Sequence, residues 1–380
     1  MTQNGDMIEG FRYVGENRHE YARAWKSKTG SKVIGWLCTY SPIEIIKAAG
    51  MLPVRILGSH EVDRIADEYF GGLPCPYCID CLCQGLRGRY EYLDGIVHAR
   101  SCDAIEQAFH NWGTFLPINF SHYIFMPGHV QSPRALTLLT KEYSDFKEAL
   151  EKLGGKSISN EDLNGAIEAY NTNRRLLKQV FEFRKQDNPS ITGEEALEIV
   201  IAGQLMDVEE HNELLKQLIE QLPNRKLERE TGVRLMLVGS ENDDVSFFRF
   251  LESLGATCVI EESCCSTKYF WDEVVPQEDP LEALASRYIN RWRCPTFDWD
   301  ARTRPERILK LAQDYNIQGA ILYMQKFCSP HGYDIPVIKG MFDSHNIPVL
   351  ILEFDVTIPT GQFQTRIEAF LEELTLELIV

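Results

Sequence analysis

Short apolar runs alternate with helix-like segments at both ends of the chain. The run from Val33 to Leu37 precedes "SPIEIIKAAG", and the run near Gly95 to Ala99 precedes "DAIEQAFHNW", where apolar positions recur at helical spacing. Further apolar runs in the C-terminal part are "GVRLMLVG", "ATCVIEE", "AILYMQ" and "IPVLILEF", with helical stretches such as "PERILKLAQDYN" between them. Strands that alternate with helices are typical of a parallel sheet covered on both faces. We therefore predict an α/β fold with two doubly wound, mostly parallel lobes.

The middle of the chain has a different periodicity. From about residue 137 to 225, stretches such as "SDFKEALEKLGG" and "VEEHNELLKQLIEQL" show the polar and apolar spacing of long helices. This change predicts an N-terminal α/β lobe at 1–135, a helical segment at 136–229 and a C-terminal α/β lobe at 230–380.

Two predicted helix starts carry groups that could stabilise an anion. Ser41, Pro42 and Glu44 have the spacing of a capping box with proline at the first helical position. Another helix is expected to begin near Thr360 and Gly361. Because first-turn amides and the helix dipole favour negative charge, Ser41 is a candidate catalytic residue. Plain helix capping is the alternative at both positions.

Composition excludes several classes of protein. The 380 residues are 44% hydrophobic and 25% charged, as in ordinary globular proteins. A net charge of -17 argues against a nucleic-acid partner, because phosphate binding needs a basic face. No apolar run approaches the roughly 18 residues of a membrane span, and the N-terminus lacks the pattern of a signal peptide. We therefore expect no membrane partner and a cytoplasmic location, where the eleven cysteines stay reduced and favour metal or cluster ligation.

Three cysteines are placed to meet at one cleft. Cys102 and Cys328 each lie just past a predicted strand, and Cys75 lies in a proline-flanked stretch expected to form an irregular loop. Ligands of open parallel sheets bind outside the carboxyl ends of the strands, so these thiols could converge between the lobes. A cluster held by three thiolates would keep one iron open for substrate or water.

Other interpretations of the cysteines remain open. Cys75, Cys78, Cys81 and Cys83 alone form a C-x2-C-x2-C-x-C run, which approaches the spacing of a local ferredoxin-type cluster. A zinc site is disfavoured, because no second pair stands at finger spacing. Some thiols could simply be small buried hydrophobic residues, and this interpretation is applied to Cys38 and Cys258. Three further thiols stay undecided: Cys264, Cys265 and Cys294.

Several blocks of the sequence together resemble one known family. "CPYC" with "GRYEYLDGIVHARSCD", then "VEEHNELL", "KYFWDEV", "QKFCSPHGYDIP" and "GQFQTRIEAFLEEL", are similar to the 2-hydroxyacyl-CoA dehydratase and benzoyl-CoA reductase family over nearly the whole chain. The resemblance implies two α/β lobes that hold a [4Fe-4S] cluster through Cys75, Cys102 and Cys328. The excess thiols leave room for a related branch that binds an [8Fe-9S] double-cubane cluster through six cysteines.

The resemblance also implies a radical mechanism and a set of partners. An ATP-dependent iron-sulfur activator protein, fed by a ferredoxin-type donor upstream, would deliver low-potential electrons, and a second homologous subunit would complete the enzyme. The cluster would pass these electrons to a bound acyl-CoA substrate. The "GRYEYLDGIV" and "FCSPHGYDIP" blocks favour an acyl-CoA reductase of benzoyl-CoA reductase type. The alternatives are a 2-hydroxyacyl-CoA dehydratase subunit, a double-cubane reductase of small molecules and a non-catalytic electron relay.

Other polar residues have weaker claims to the site. His331, beside Cys328, is a candidate catalytic residue that could donate a proton or hydrogen-bond a cluster sulfide; an exposed turn histidine is the alternative. Glu261 and Glu262 are expected to form a solvated acidic pair. The arginines that could grip CoA phosphates cannot be distinguished by sequence: Arg55, Arg87, Arg89 and Arg100.

Overall fold

Two separate sheets of four parallel strands organise the computed structural model, which describes residues 8–72, 75–299 and 301–377. The first sheet has the order β2-β1-β3-β4 and the second has the order β6-β5-β7-β8, with every neighbouring pair parallel. The strands are β1 (Val33–Trp36), β2 (Leu52–Arg55), β3 (Gly95–Ala99), β4 (Ser121–Ile124), β5 (Val233–Gly239), β6 (Ala256–Glu262), β7 (Gly319–Gln325) and β8 (Val349–Phe354). The predicted α/β fold with two parallel lobes is confirmed.

Helices cover both sheets and fill the middle of the chain. They are α1 (Glu9–Glu16), α2 (Arg18–Thr29), α3 (Ile43–Ala48), α4 (Pro76–Leu86), α5 (Asp103–Phe115), α6 (Ala135–Gly154), α7 (Asn160–Glu182), α8 (Gly193–Ala202), α9 (Val208–Gln221), α10 (Val245–Ser253), α11 (Thr267–Phe270), α12 (Pro280–Asn290), α13 (Arg304–Asp314), α14 (Ser329–Ser344) and α15 (Thr360–Glu377). Every residue of β1, β3, β5 and β6 is buried, because helices pack on both faces of the sheets. None of the helices in this described part of the chain combines the length and apolar character that a bilayer crossing requires.

The helices α6 to α9 link the two lobes. α7 begins with a capping box between Ser159 and Asp162, and α8 begins with one between Thr192 and Glu195, so both starts are defined locally. α7 packs on α3 of the first lobe and on α9, whereas α8 packs between α1 and α10. These helices lie within the segment that the sequence predicts to be helical, apart from the first residue of α6.

The start of α3 differs from the prediction. Pro42 is the N-cap residue, and no side chain caps the helix, so the predicted capping box of Ser41 and Glu44 is wrong. The Glu44 carboxylate instead accepts from Arg174 of α7, and Tyr288 Oη lies 2.9 Å from it. A buried arginine attracts a carboxylate more strongly than a helix-start amide does, which explains the difference.

The segment after Cys75 is also more regular than predicted. Cys75 is the N-cap residue of α4, and Pro76 occupies the first helical position, where its missing N–H leaves no bond unmade. The thiols that follow Cys75 are therefore distributed around a helix rather than along a loop.

Candidate functional site

A cavity lies between the carboxyl ends of the two sheets. Its wall comes from residues after β1 and β3 of the first lobe and from residues after β5, β6 and β7 of the second lobe. The cavity measures about 70 Å³, whereas one water molecule needs about 10–15 Å³. The space between the lobes is therefore large enough for a group bigger than a single water.

The three thiols that the sequence singles out stand at the mouth of this cavity. Cys75, Cys102 and Cys328 line the cavity and also an adjoining groove of about 310 Å³. Trp299, with 54% of its surface exposed, and Tyr333, with 65% exposed, lie along the same groove. A group held by these thiols would therefore contact both the cavity and the groove.

Each of the three thiols precedes a helix. Cys75 is the N-cap residue of α4, Cys102 of α5 and Cys328 of α14. A helix N-terminus carries a partial positive charge, which stabilises a thiolate or another anion in front of it. Three such helix starts converge at the mouth of the cavity.

Burial and local hydrogen bonds shift these thiols in different directions. Burial raises the pKa of Cys102 well above its usual value and that of Cys328 to about 12, although a first-turn amide opposes the shift in each case. A hydrogen bond from Cys78 lowers the pKa of the Cys75 thiol against the effect of burial. Burial thus disfavours the thiolate form at two of the three positions.

More thiols reach this cavity than the sequence analysis assigned to it. Cys38, Cys78, Cys264 and Cys294 also line its wall, so seven thiols surround one space. Cys38, which the sequence analysis treats as a small hydrophobic residue, lies in the cavity wall just after β1. Its position at the carboxyl end of a strand was the signal that could have identified it.

The remaining described thiols point elsewhere. Cys81 Sγ lies 3.8 Å from the Ile56 carbonyl, and Cys83 Sγ lies 3.5 Å from the Asp63 carbonyl. Neither residue lines the cavity, because α4 turns these side chains away from its first turn. The structure thus separates the four cysteines of the local ferredoxin-type interpretation.

Two other thiols lie outside the cavity lining. Cys258 lies within β6, and Cys265 lies beside Glu241.

The donor set fits an iron-sulfur cluster better than a single metal ion. Within residues 8–72, 75–299 and 301–377, no three His, Cys, Asp or Glu side chains lie close enough together to hold one ion. A cubane cluster carries each thiolate on a different iron, so its ligands surround a volume instead of meeting at a point. Thiols distributed around a cavity suit that requirement.

Behind the thiols, a buried polar network belongs mainly to the second lobe. His331 Nδ1 lies 3.4 Å from Cys328 Sγ, and its Nε2 lies 3.3 Å from Lys268 Nζ. Burial, followed by the charges of Lys268 and Arg304, lowers the pKa of His331 well below its usual value. His331 is thus buried rather than an exposed turn residue.

One arginine joins the lobes at the cavity wall. Arg55, at the end of β2, pairs with the Glu241 carboxylate and donates to the Cys264 carbonyl at 2.9 Å, both in the second lobe. Arg55 is buried, and its two terminal nitrogens are occupied by these contacts, so it is not an exposed cation for CoA phosphates. Arg87 and Arg89 pair with Asp63 and Glu61, whereas Arg100 lines the groove.

The other predicted anion-stabilising groups lie away from the cavity. Ser41 is buried and does not line the cavity or the groove, and its hydroxyl has no hydrogen-bond partner among the described residues. Its carbonyl lies 2.9 Å from Tyr288 Oη. α15 does begin at Thr360, but neither Thr360 nor Gly361 is among the lining residues.

The acidic pair at the end of β6 is not solvated, contrary to the expectation. Glu261 and Glu262 are fully buried and form ion pairs with Arg184 and Arg304, respectively. Arginines distant in sequence satisfy these carboxylates, so the local pattern held no signal for their burial. The local pattern likewise gives no signal for the role of Lys268, because its buried partners are distant in sequence.

Comparison with known proteins identifies the family. A family model described as "HGD-D: 2-hydroxyglutaryl-CoA dehydratase, D-component" matches residues 38–374. The chain is 27% identical to the (R)-phenyllactyl-CoA dehydratase beta subunit of Clostridium sporogenes, over 98% of this chain and 100% of that one. It is 25% identical to one of the subunits of benzoyl-CoA reductase from Thauera aromatica, over 90% of each chain. It is 24% identical to the beta subunit of (R)-2-hydroxyglutaryl-CoA dehydratase from Acidaminococcus fermentans, over 97% and 99% of the two chains. The chain therefore belongs to the 2-hydroxyglutaryl-CoA dehydratase D-component family, whose members include subunits of acyl-CoA dehydratases and of benzoyl-CoA reductase.

Proposed function

We propose that this chain is the cluster-bearing subunit of an ATP-dependent enzyme that transfers low-potential electrons to a bound acyl-CoA. Cys75, Cys102 and Cys328 would hold a [4Fe-4S] cluster. The observation that carries this proposal is the position of these thiols, which come from both lobes and line both the cavity and the groove. When bound there, such a cluster would supply the capacity for one-electron transfer beside the groove.

The groove supports an apolar acyl group as the reacting part of the substrate. Trp299, Phe327 and Tyr333 provide aromatic surface there, and Arg100 provides a cation. This lining suits an aromatic acyl group, as in the benzoyl-CoA reductase type, because aromatic side chains pack well on one another. The (R)-phenyllactyl-CoA dehydratase among the relatives is also named for an aromatic acyl group, so the lining supports the acyl class and not the reaction. A 2-hydroxyacyl-CoA dehydratase subunit, the type named for two of the relatives above, is the alternative outcome at the same site.

The residues of this chain have separate tasks at the site. The three helix starts stabilise negative charge in front of them, and the buried wall of the cavity excludes water from one side. His331 directs one ring nitrogen at Cys328. These contributions position and electrostatically support the thiols, while the reacting part of the substrate occupies the groove.

The energy of the electron must come from another protein. Plant-type ferredoxins have potentials of about -400 mV, and reduction of an aromatic thioester needs a lower value. The sequence has no G-x4-G-K-[ST] phosphate loop through which ATP could be used. We therefore propose an ATP-dependent iron-sulfur activator, with a ferredoxin-type donor upstream, and a second homologous subunit, which the relatives' names as subunits support.

A second candidate is a reductase of small molecules that contains an [8Fe-9S] double-cubane cluster. Cys38, Cys264 and Cys294 favour it, because they line the same cavity as the first three thiols and bring the number of available ligands to six without Cys78. A single [4Fe-4S] cluster would leave this second set of thiols without a role in ligation.

Iron and acid-labile sulfide in anaerobically purified protein test the proposal and separate the two candidates. About four irons per chain are expected for one cubane and about eight for a double cubane. Protein that remains free of iron after anaerobic reconstitution with iron and sulfide would contradict both candidates.

Turnover assays test the electron supply and the substrate. The isolated chain should be inactive, whereas the chain with its second subunit, a cognate activator, ATP and a strong reductant should convert an acyl-CoA. A benzoyl-CoA reductase would form a cyclic diene in proportion to the electrons supplied, but a dehydratase would convert many 2-hydroxyacyl-CoA molecules per electron. Turnover by the isolated chain with an ordinary ferredoxin and no ATP would refute the proposal.

A further inference from the structure

A buried lysine stands behind the histidine that contacts Cys328. His331 is 4% exposed and Lys268 is 3% exposed, and the Nε2 and Nζ atoms of the pair are 3.3 Å apart. The other ring nitrogen, Nδ1, lies 3.4 Å from Cys328 Sγ. The imidazole therefore connects the lysine to the candidate ligand thiol.

The remaining contacts of Lys268 define it as a donor. Its Nζ lies 3.3 Å from a Glu262 carboxylate oxygen and donates to the Gly239 carbonyl at 3.1 Å. A lysine ammonium has three N–H donors and no acceptor. His331 Nε2 must then accept, which leaves the ring proton on Nδ1.

We propose that Lys268 is a positioning residue that fixes the tautomer of His331, so that the Nδ1–H donates to the sulfur of Cys328. The inference rests on the proposed function, because the sulfur concerned is that of a proposed cluster ligand. Hydrogen bonds to the sulfurs of a cluster are one determinant of its reduction potential. The proton of His331 would thus be donated to the sulfur of the ligand cysteine. This role differs from the two that the sequence suggests, which are proton donation and a hydrogen bond to a cluster sulfide.

One neighbouring group favours the opposite tautomer. The Gly239 carbonyl also lies near His331 and would accept a proton carried on Nε2. Lys268 already donates to that oxygen at 3.1 Å, which reduces its capacity to accept from the ring. The two arrangements place the ring proton on different nitrogens, so they can be distinguished by spectroscopy.

Nitrogen NMR of the full chain labelled with ¹⁵N-histidine measures the tautomer directly. The signals of His331 are those that disappear in His331→Leu. The proton is expected on Nδ1 in the wild type and, at least in part, on Nε2 in Lys268→Met, with recovery in Lys268→Arg. A wild-type proton on Nε2 would overturn the inference without requiring any variant to fold.

Reduction potentials of the cluster-loaded protein, measured by EPR-monitored titration, test the consequence. His331→Leu and Lys268→Met should each shift the potential to a more negative value, because the reduced form loses a stabilising donor. Lys268→Met should have no further effect in the His331→Leu background. If its effect persists there in full, Lys268 acts through its charge and not through the histidine.

Suitable controls exist in the chain. Glu262 keeps its pair with Arg304 when Lys268 is replaced, so Lys268→Met does not leave the Glu262 carboxylate unpaired. Lys326→Met removes a positive charge two residues from Cys328 at an exposed ion pair with Asp355 and should leave the potential unchanged. Failure to load iron would contradict the proposed function, whereas the tautomer measurement on the cluster-free chain tests the inference independently.

Discussion

The thiols of Cys75, Cys102 and Cys328 occupy an unusual position for cysteine, directly in front of three helices. Serine, threonine, aspartate and asparagine are the preferred N-cap residues, because their oxygens accept from first-turn amides. A sulfur is a weaker acceptor and gains less from those amides. The cysteines at these positions are therefore better explained by ligation than by helix capping.

Replacing any of these three thiols should remove the cluster. Cys75→Ala, Cys102→Ala and Cys328→Ala should each lose most of the bound iron, because each leaves one iron of the cubane without its thiolate. Iron and sulfide analysis of the anaerobically purified variants measures the loss.

Cys81→Ala is the matched control for these variants. Cys81 lies in the same helix as the residues that follow Cys75, is fully buried and does not line the cavity. The Cys81→Ala variant should therefore retain its bound iron. If Cys81→Ala abolishes iron binding while Cys328→Ala retains it, the cluster is local to residues 75–83 and the interlobe site is wrong.

Helices and strands place different demands on their glycines. Gly165 lies on the exposed face of α7, and a methyl group there would have no heavy atom within 4 Å. At Gly239, the end of β5, an added Cβ would lie 2.2 Å from the carbonyl oxygen of Tyr323 in β7. Close approach of the neighbouring strand therefore requires glycine at position 239, whereas the helix at 165 does not.

The two alanine variants should change stability in opposite directions. Gly165→Ala should raise the free energy of unfolding by about 0.5–1 kcal/mol, because alanine loses less backbone entropy in a helix. Gly239→Ala should lower it by about 1–3 kcal/mol, because the strands must separate to admit the methyl group. Denaturant titrations of both variants provide the measurement, and a destabilised Gly165→Ala would show that α7 is packed differently at this point.

Charged contacts between the lobes hold the two sides of the site together. Besides Arg55 and Glu241, His60 of the first lobe lies 3.1 Å from an Asp243 carboxylate oxygen of the second lobe. Against the effect of burial, Asp243 raises the pKa of His60 from 6.5 to about 9. The backbone of His60 has a φ of 61°, a left-handed conformation that histidine and asparagine tolerate better than most residues.

The His60 pair makes stability depend on pH. A folded-state pKa above the unfolded value means that the stabilisation is fully present below about pH 6.5 and is lost as the pH rises through about 9. The loss should be about 2 kcal/mol after allowance for partial solvent exposure. His60→Asn, which suits the same backbone conformation, should remove this dependence.

Thermal unfolding of wild type and His60→Asn between pH 6 and 9.5 tests this expectation. The difference between the two proteins is the relevant quantity, because other groups that titrate in this range contribute equally to both. A difference that stays constant across the range would exclude the ion pair as a pH-dependent contact between the lobes.

Local patterns were sufficient to predict the two parallel sheets, the helices between them and the strand ends that carry Cys102 and Cys328. Apolar periodicity reflects burial of each element by its neighbours, and the carboxyl ends of parallel strands share one edge of a sheet, so these features follow from short stretches of sequence. The ligand role of Cys75, Cys102 and Cys328 stays a prediction, although the structure does bring the three together.

Packing of the two lobes against each other decided which further thiols reach the cavity and which charged side chains are buried. Cys38, Cys264 and Cys294 reach the cavity while Cys81 and Cys83 do not, because the cavity forms where the loops of two sheets meet and not along any one segment. Long-range partners likewise buried Glu261 and Glu262, whose local pattern indicates a solvated pair. A side chain's charge partner depends on which distant residue folding brings beside it. That information is absent from hydrophobic periodicity and appears only when the lobes are assembled.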